Sequence, residues 1–231
     1  MNKNVDKHSS EIYYRLQPTL FVINATSLAK PHAIDHLRAD ILNKSVAVII
    51  VVETWFKQIY MDNSFSIPGF VLHRRDRQWG VGGGIAIYVD QALSNQCFVP
   101  KFKFNRNIEL LWVSITFQNS LFYIGGIYHP PTSKYYTDDE IQAAISKSLD
   151  EINSLQADLT VILAGDFNQM SDSILLSLGL HSAFSGATHQ GHNLDRIYAS
   201  EPIYKYCMAI KSTIKQNIWR YLQGYLKKRF S

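Results

Sequence analysis

Two uninterrupted apolar segments limit the folds open to this chain most strongly, VAVIIVV at residues 46–52 and LTVILAG at residues 159–165. Each is preceded by a segment with apolar residues at helical spacing, and before that by another predicted strand, at residues 20–24 and 121–128. Strands that are apolar on both faces are typical of sheets covered by helices, and a repeated strand, helix, strand order is typical of parallel pairing. The sequence therefore predicts an α/β fold.

The helices of these two units are predicted at residues 31–43 and 137–156. The second begins with Thr137 and has Glu140 three residues later, which is the pattern of a capping box. Its apolar stripe comprises Ile141, Ile145, Leu149, Ile152 and Leu155. Both segments are therefore expected to cover the sheets with one apolar face.

Residues 80–89 and 110–117 lie between the two units and alternate in a way that predicts half-buried antiparallel strands. The sheets are then expected to be mixed. The glycines of the first segment are not a phosphate-binding loop, because no Gly-Lys-Ser/Thr follows and Ile85 occupies the last glycine position of a GxGxxG pattern.

Charge is distributed unevenly along the 231 residues, whose net charge is +4. The last 29 residues contain seven Lys and Arg and no acid, which leaves 16 Lys and Arg against 19 Asp and Glu in residues 1–202. The main part of the chain is thus slightly acidic, so its net charge does not by itself indicate a nucleic-acid partner.

Two cysteines and short apolar runs limit the compartment. Cys97 and Cys207 match neither a disulfide framework nor a zinc spacing, which favours free thiols in a reducing compartment. The longest apolar run, at residues 46–52, is far shorter than the roughly 20 residues that span a bilayer. An intracellular, soluble protein without membrane insertion is expected.

Polar side chains follow the apolar segments directly. Glu53 and Asp166 come at the ends of the two long ones, and Tyr128 and Asn168 stand close to such ends. A carboxylate in this position must be hydrated, paired or bound to a metal ion. Carboxylate and amide oxygens suit Mg²⁺ bound together with a phosphate substrate. A helix cap or a turn is the alternative for each carboxylate taken alone.

Six short motifs occur in a fixed order along the chain. They are Asn24, Glu53-Thr54-Trp55, Arg74-Arg75-Asp76-Arg77, Tyr128-His129-Pro130-Pro131, Leu163-Ala164-Gly165-Asp166-Phe167-Asn168 and Leu194-Asp195-Arg196-Ile197-Tyr198-Ala199-Ser200. Over residues 20–214 they resemble the endonuclease/exonuclease/phosphatase superfamily, and within it the apurinic-endonuclease-like domain of non-LTR (LINE-type) retrotransposons. The resemblance implies a DNase I-like, four-layered α/β/β/α sandwich with two mixed β-sheets.

The resemblance also implies a metal-dependent hydrolysis of DNA, with Mg²⁺ or Mn²⁺ as the cofactor and a nuclear location if the DNA is chromosomal. Glu53 resembles the principal metal ligand, and Asn24 the amide that positions metal and phosphate. Tyr128 resembles the tyrosine that contacts the scissile phosphate. Asp166 resembles the aspartate that aligns or deprotonates the attacking water, and Asn168 the amide that binds phosphate oxygens.

Three further residues receive roles at the edge of this site. Asp195 resembles the aspartate of the family's Leu-Asp-x-Ile motif, and Thr188 a threonine that lines the DNA groove. Arg74 is expected to contact a phosphate of the substrate, with solvated surface as the alternative. Trp55 and Trp79 are expected in the core and not in contact with bases.

The family's last motif, Ser-Asp-His before a final strand, is missing from this chain. The predicted strand at residues 206–214 is followed by Lys215-Gln216-Asn217-Ile218-Trp219 instead, and no histidine follows His192. His189 and His192 are expected to be ordinary loop residues. Losing a general base typically reduces a rate by roughly 10²–10⁴-fold, so impaired activity is predicted.

The chain is therefore divided into a polar N-terminal segment at 1–18, an endonuclease/exonuclease/phosphatase domain at 19–214 and a divergent tail at 215–231. The tail has the pattern of a basic amphipathic helix, and the last strand of the domain is expected to be missing or replaced. A noncatalytic remnant that binds metal and nucleic acid, or another phosphoesterase of the same fold, remains an alternative function. No reverse transcriptase is encoded in these residues.

Overall fold

The structure, a computed structural model, describes residues 17–156, 158–183, 195–201, 206–213 and 218–223, with the backbone alone for 206–211 and 218–223. The strands are β1 (Leu20–Asn24), β2 (Val48–Val52), β3 (Phe70–Arg75), β4 (Ile85–Asp90), β5 (Cys97–Phe98), β6 (Glu109–Phe117), β7 (Ser120–Tyr128), β8 (Leu159–Asp166), β9 (His181–Ser182), β10 (Asp195–Ala199), β11 (Tyr206–Lys211) and β12 (Ile218–Gln223). The helices are α1 (Ala33–Ile41), α2 (Gln91–Ser94), α3 (Asp138–Leu155) and α4 (Asp172–Ser177).

These strands form two six-stranded sheets. The first has the order β11-β12-β1-β2-β4-β3 and the second the order β5-β6-β7-β8-β10-β9. Each contains a parallel pair, β1 with β2 and β7 with β8, while the other described pairings are antiparallel. The predicted mixed sheets are confirmed.

The core consists of three apolar layers because the strands are apolar on both faces. In β1, Leu20 and Val22 pack between the two sheets, whereas Phe21 and Ile23 point to the opposite face and pack with α1. The outer face of the second sheet packs in the same way against α3. The order of layers is α1, first sheet, second sheet, α3, which confirms the predicted four-layered sandwich.

The predicted half-burial of two strands is wrong. All side chains from Ile85 to Val89 in β4 are fully buried, and β6 is buried from Glu109 to Ile115. The reason is that β4 lies inside its sheet, with the second sheet on one face and the cluster around α1 on the other. The alternating sequence predicts one solvent-exposed face on each strand, but tertiary packing buries both faces.

The capping box of α3 is confirmed. The hydroxyl of Thr137 accepts from the backbone N–H of Glu140 at 3.2 Å, and the Glu140 carboxylate accepts from the backbone N–H of Thr137 at 2.8 Å. The predicted apolar stripe is buried up to Ile152. The predicted burial of Leu155 is wrong, since Leu155 is the last residue of the helix and is 62% exposed.

The tail is not helical where the structure describes it. Residues Ile218–Gln223 form β12, which pairs antiparallel with both β1 and β11. β12 thus separates β11 from β1 and satisfies the backbone groups of β1 on the side away from β2. Tail residues therefore supply a strand of the first sheet.

None of the described helices combines the length and the apolar character needed to span a membrane.

Candidate active site

The strand register collects the predicted polar residues at one end of both sheets. Asn24 ends β1, and Glu53 follows β2, its parallel neighbour. Tyr128 ends β7 and is the register partner of Asp166, the last residue of β8. Asp195 begins β10 directly opposite Asp166. Parallel neighbours have their carboxyl ends on the same side of a sheet, so the polar residues at these strand ends lie close together.

Asn24 joins the two carboxylates across the sheets. Its side-chain amide donates one hydrogen bond of 2.8 Å to Glu53 Oε1 and another of 2.8 Å to Asp166 Oδ2. The amide is oriented by Thr26, whose backbone N–H and hydroxyl donate to Asn24 Oδ1 at 2.9 and 3.1 Å. Glu53 and Asp166, 113 positions apart in the chain, therefore lie on either side of one amide.

Glu53 is held in a turn with an unusual backbone. Glu53 and Trp55 have φ values of 53° and 58°, in the left-handed region that non-glycine residues rarely adopt. Backbone hydrogen bonds fix the turn, from Trp55 N–H to Gly83 O at 2.8 Å and from Ser27 N–H to Glu53 O at 2.7 Å. The indole N–H of Trp55 donates to Glu53 Oε2 at 3.2 Å. Such strain is typical of functional sites.

Asp166 is a buried carboxylate. Burial raises its pKa above the ordinary value, and hydrogen bonds from the Asn168 backbone and the Asn24 side chain oppose this shift. The backbone N–H of Asn168 donates to Asp166 Oδ1 at 2.9 Å. A side chain on Gly165 would overlap the carbonyl oxygen of Ile127, so only glycine allows this approach of β7 and β8 beside the carboxylate.

Asn168 lies two residues beyond β8 with a φ of 43°. Its side-chain amide donates to the backbone carbonyl of His129 at 2.7 Å. The backbone carbonyl of Asn168 accepts from the Arg196 guanidinium at 2.7 Å. An amide nitrogen carries two hydrogens, so this contact leaves one of them available. The Asn168 side chain is thus oriented by the loop after β7 and not by solvent.

Tyr128 is a buried phenol. Burial raises its pKa first of all, and the negative charges of Glu53 and Asp166 raise it further. The phenol therefore stays protonated at neutral pH and can donate a hydrogen bond. The guanidinium of Arg77 lies over its ring, with 5.5 Å between the guanidinium carbon and the ring centroid.

Arg77 is held by a buried carboxylate, Glu109. Arg77 donates to Glu109 Oε2 from Nη2 at 2.6 Å and from Nε at 3.1 Å, and the backbone N–H of Gly84 donates to the other carboxylate oxygen. Glu109 is 2% exposed. Burial raises the pKa of Glu109, and Arg77 lowers it. This pair supports Tyr128 from the side opposite Asp166 in the register.

We expect Arg77→Met to lower the free energy of unfolding by about 3–5 kcal/mol at neutral pH, because a buried carboxylate is left without its partner. The pKa of Glu109 in the folded state then rises further above the unfolded value. Stability of the variant is greatest below the unfolded pKa of about 4.3 and falls as the pH rises through the folded pKa. Urea unfolding at acid and neutral pH measures this difference.

The matched control is Arg77→Met combined with Glu109→Gln, which removes both charges. We expect it to recover most of the lost stability at neutral pH and to lose the pH dependence of the single variant. Equal stability of Arg77→Met and the unaltered protein at both pH values would contradict the pairing.

The predicted site residues divide into three groups. Six of them lie together at the strand ends: Asn24, Glu53, Tyr128, Asp166, Asn168 and Asp195. Arg74 does not join them. Its guanidinium bonds Asp62 at 2.9 Å and the carbonyl of Tyr60 at 2.7 Å, and it lies over the ring of Phe56. Thr188 lies outside the described residues, as do His189 and His192, which are expected to be ordinary loop residues.

Sequence reasoning missed two pairs. Glu109 has the same sequence signal as Glu53, a carboxylate next to an apolar segment, but it stands at the start of its strand and not after the end. The other pair is His129, 4% exposed, whose Nε2 lies 3.0 Å from Asp138 Oδ1. Only the fold brings the N-terminus of α3 to the residue that follows Tyr128.

The donor set at the strand ends fits a divalent cation. In the part of the chain that the structure describes, no group of three or more His, Cys, Asp and Glu side chains surrounds a common point. Mg²⁺ is usually bound by one or two carboxylates, with water and substrate phosphate completing its coordination. Glu53 and Asp166, held on one amide, meet that requirement.

Comparisons with known proteins give one family. The model of the Endonuclease/Exonuclease/phosphatase family matches residues 4–210. No curated protein gives a significant match.

Solved structures share the fold at low identity. The chain is similar to the endonuclease domain of TRAS1, a telomere-specific non-LTR retrotransposon, with a TM-score of 0.65 and 15% identity over 92% of this chain and 100% of that one. The AP endonuclease LMAP from Leishmania major gives a TM-score of 0.71 and 10% identity over 90% and 88%. The 3′ phosphatase NExo from Neisseria, bound to a product DNA hairpin, gives 0.65 and 12% over 91% and 100%.

Identities of this size show the fold, whereas the family model covers most of the sequence. That match includes every strand from β1 to β10 and every residue that meets at the strand ends. The chain belongs to the endonuclease/exonuclease/phosphatase family.

Proposed function

We propose that the protein hydrolyses phosphodiester bonds of DNA with Mg²⁺ or Mn²⁺, as an endonuclease of the retrotransposon type. One observation carries the proposal, the amide of Asn24 that holds Glu53 and Asp166 together at the ends of both sheets. Similarity to the TRAS1 domain, the endonuclease domain of a telomere-specific non-LTR retrotransposon, supports the choice of substrate. Action on chromosomal DNA would require the nucleus.

The residues divide the chemistry between them. Glu53 would hold the cation, and Asn24 would position it through its hydrogen bonds to Glu53 and Asp166. The cation would offset negative charge on the phosphate. Asp166 accepts a hydrogen bond from the attacking water and takes its proton, a role that a buried carboxylate with a raised pKa suits. Tyr128 donates to a phosphate oxygen through its protonated hydroxyl. The free hydrogen of the Asn168 amide binds another phosphate oxygen.

Asp195 and Thr188 belong to the rim of the proposed site. Asp195 is the first residue of β10 and faces Asp166, the last residue of β8, across their antiparallel pairing. We assign it to positioning and Thr188 to the DNA groove. Arg74 is not retained as a phosphate ligand, because its guanidinium is engaged by Asp62 and Tyr60.

A second function is favoured by the missing histidine. No histidine follows His192 in the sequence, so the Asp-His pair of the family is lacking. A domain that keeps Asn24, Glu53 and Asp166 retains the means to bind metal and DNA without turnover. A phosphatase of the same fold is the third candidate, supported by the fold shared with the 3′ phosphatase from Neisseria.

Nicking of supercoiled plasmid tests the proposal. We expect open-circular product in the presence of Mg²⁺ and none in EDTA, and the double variant Glu53→Ala and Asp166→Ala, purified in parallel, controls for contaminating nucleases. Mg²⁺-dependent nicking no greater than that control overturns the endonuclease. DNA binding without nicking then supports the noncatalytic function, and release of phosphate from a 3′-phosphorylated oligonucleotide supports the phosphatase.

A further inference from the structure

The Glu53-Thr54-Trp55 turn rests on the glycine segment at residues 80–84, which has no role in the proposed chemistry. The backbone carbonyl of Gly83 accepts from the Trp55 N–H at 2.8 Å, and that of Gly84 accepts from the Thr54 N–H at 3.3 Å. A segment that lacks the pattern of a phosphate-binding loop is thus the support of the turn that carries Glu53.

The indole of Trp55 lies between this segment and the Glu53 carboxylate. Trp55 is half-buried, so its predicted place in the core is wrong, because the turn directs the ring toward Glu53. Gly82 has a φ of 81° and lies against the ring. A Cβ atom at Gly82 would be 3.3 Å from the indole nitrogen, which is closer than ordinary van der Waals contact. Glycine at this position therefore leaves the room that the indole occupies.

The Glu53 carboxylate is oriented at both of its oxygens. Oε1 accepts from the side-chain amide of Asn24 at 2.8 Å, and Oε2 accepts from the indole N–H of Trp55 at 3.2 Å. A carboxylate oxygen has two lone pairs, so each oxygen keeps one for a cation. The indole N–H is a donor only and cannot itself bind a cation. Two donors on one planar carboxylate fix its rotation, and with it the direction of the remaining lone pairs.

Lys30 is the cation that lies nearest to the indole among the described contacts. Its ammonium is 5.9 Å from the centre of the Trp55 ring, within the range of a cation–π interaction. Lys30 is exposed, so solvent and salt screen its charge. It therefore opposes a divalent cation at Glu53 only weakly, and the hydrogen bond from the indole is the main influence of this turn on the site.

We propose that Trp55 is a positioning residue for the cation, an inference that rests on the metal ion of the proposed function. Its indole N–H holds Glu53 Oε2 in the orientation that binds the ion, and Gly82 leaves space for the indole. Hydrogen-bond partners of a metal ligand typically contribute roughly 10–100-fold to metal affinity. The glycine segment then acts on the metal site without supplying a ligand.

Binding of Mn²⁺ to the protein alone tests this inference without DNA or cleavage. Electron paramagnetic resonance measures the free ion, because Mn²⁺ loses its sharp aqueous signal when it is bound, and Glu53→Gln defines the binding that does not involve the site. We expect Trp55→Phe, which keeps an aromatic ring and removes the donor, to raise the Kd about tenfold. Gly82→Ala, which keeps the donor and displaces it, should raise the Kd by a smaller factor.

Each variant has a matched control. Trp79→Phe makes the first change at an indole that is 54% exposed. The predicted place of Trp79 in the core is wrong, since it lies in the connection from β3 to β4 and not in a strand. Gly69→Ala makes the second change at a φ of 82°, where no atom of the described residues lies within 4 Å of the added Cβ. Neither control should change the Kd of Mn²⁺.

A purely structural role of Trp55 would alter stability and leave the affinity of the folded protein for Mn²⁺ unchanged. Urea unfolding of each variant shows whether it is folded, and Gly82→Ala compared with Gly69→Ala decides if Trp55→Phe does not fold. In nicking assays, Trp55→Phe should raise the Mg²⁺ concentration for half-maximal rate by the same factor as the Kd. Its rate at saturating Mg²⁺ should stay within about twofold of the unaltered protein.

Three results overturn the inference. They are a folded Trp55→Phe variant that binds Mn²⁺ like the unaltered protein, equal weakening by Trp79→Phe, and an unaltered protein that binds Mn²⁺ no more tightly than Glu53→Gln.

The outcome is separate from plasmid nicking. Weaker Mn²⁺ binding by Trp55→Phe, in a protein that does not nick DNA, supports the positioning role and overturns the proposed endonuclease. Mg²⁺-dependent nicking by a protein whose Trp55→Phe and Gly82→Ala variants bind Mn²⁺ normally supports the endonuclease and overturns the positioning role.

Discussion

Glu53→Gln and Asp166→Asn are each expected to reduce Mg²⁺-dependent nicking by about 10²–10⁴-fold, but in ways that differ with metal concentration. Both variants keep the shape of the side chain and remove its charge. Glu53 is proposed to hold the cation, so the Glu53→Gln variant should recover activity as Mg²⁺ is raised. Asp166 is proposed to take the proton of the attacking water, so excess Mg²⁺ should not restore the Asp166→Asn variant.

Initial nicking rates over a series of Mg²⁺ concentrations measure this difference. Glu151→Gln and Asp150→Asn, which change exposed residues of α3, are the matched controls and should leave both the rate and the metal dependence unchanged. Wild-type rates in both site variants would show that the Asn24-bridged pair is not the catalytic centre. Identical metal dependence in both would remove the division of roles between them.

The position of this pair was predictable from the sequence, whereas its geometry was not. A carboxylate directly after a buried strand lies at the carboxyl end of that strand wherever the strand is in the sheet. Glu53 and Asp166 can therefore be identified without any knowledge of the fold. The contact of both with Asn24 depends on how two sheets stack, which periodicity within one strand does not encode. The support of Tyr128 by Arg77 and Glu109 was missed for the same reason.

The tail shows how sheet context overrides a local pattern. Ile218, Trp219 and Leu222 fit an amphipathic helix by spacing, but a short apolar segment also fits a strand. β1 is paired with β2 on one side, and the backbone groups on its other side require a partner. β12 supplies it and brings β11 into the same sheet. β-branched and aromatic residues favour that outcome.

This arrangement leads to the prediction with the largest expected gain. β11 ends at Lys211 and β12 begins at Ile218, so the six residues 212–217 join two adjacent antiparallel strands. Asp40 of α1 fixes the start of this connection, accepting hydrogen bonds from the hydroxyl of Ser212 at 2.6 Å and that of Thr213 at 2.9 Å. The resemblance places the family's Ser-Asp-His before its last strand, and Lys215-Gln216-Asn217 precedes β12 directly.

The triple variant Lys215→Ser, Gln216→Asp and Asn217→His is therefore expected to raise the Mg²⁺-dependent nicking rate by about 10²–10⁴-fold, the usual contribution of a general base. It leaves Ile218, the first residue of β12, unchanged. The matched control carries the first two substitutions and keeps Asn217, and it should remain at the unaltered rate. Adding Glu53→Gln to the triple variant should abolish the gain, because the restored base still requires the cation. Urea unfolding checks that the triple variant folds. If it folds and yet nicks no faster than its control, residue 217 does not reach Asp166 and Glu53. The loss of endonuclease activity then involves more of the fold than this one motif.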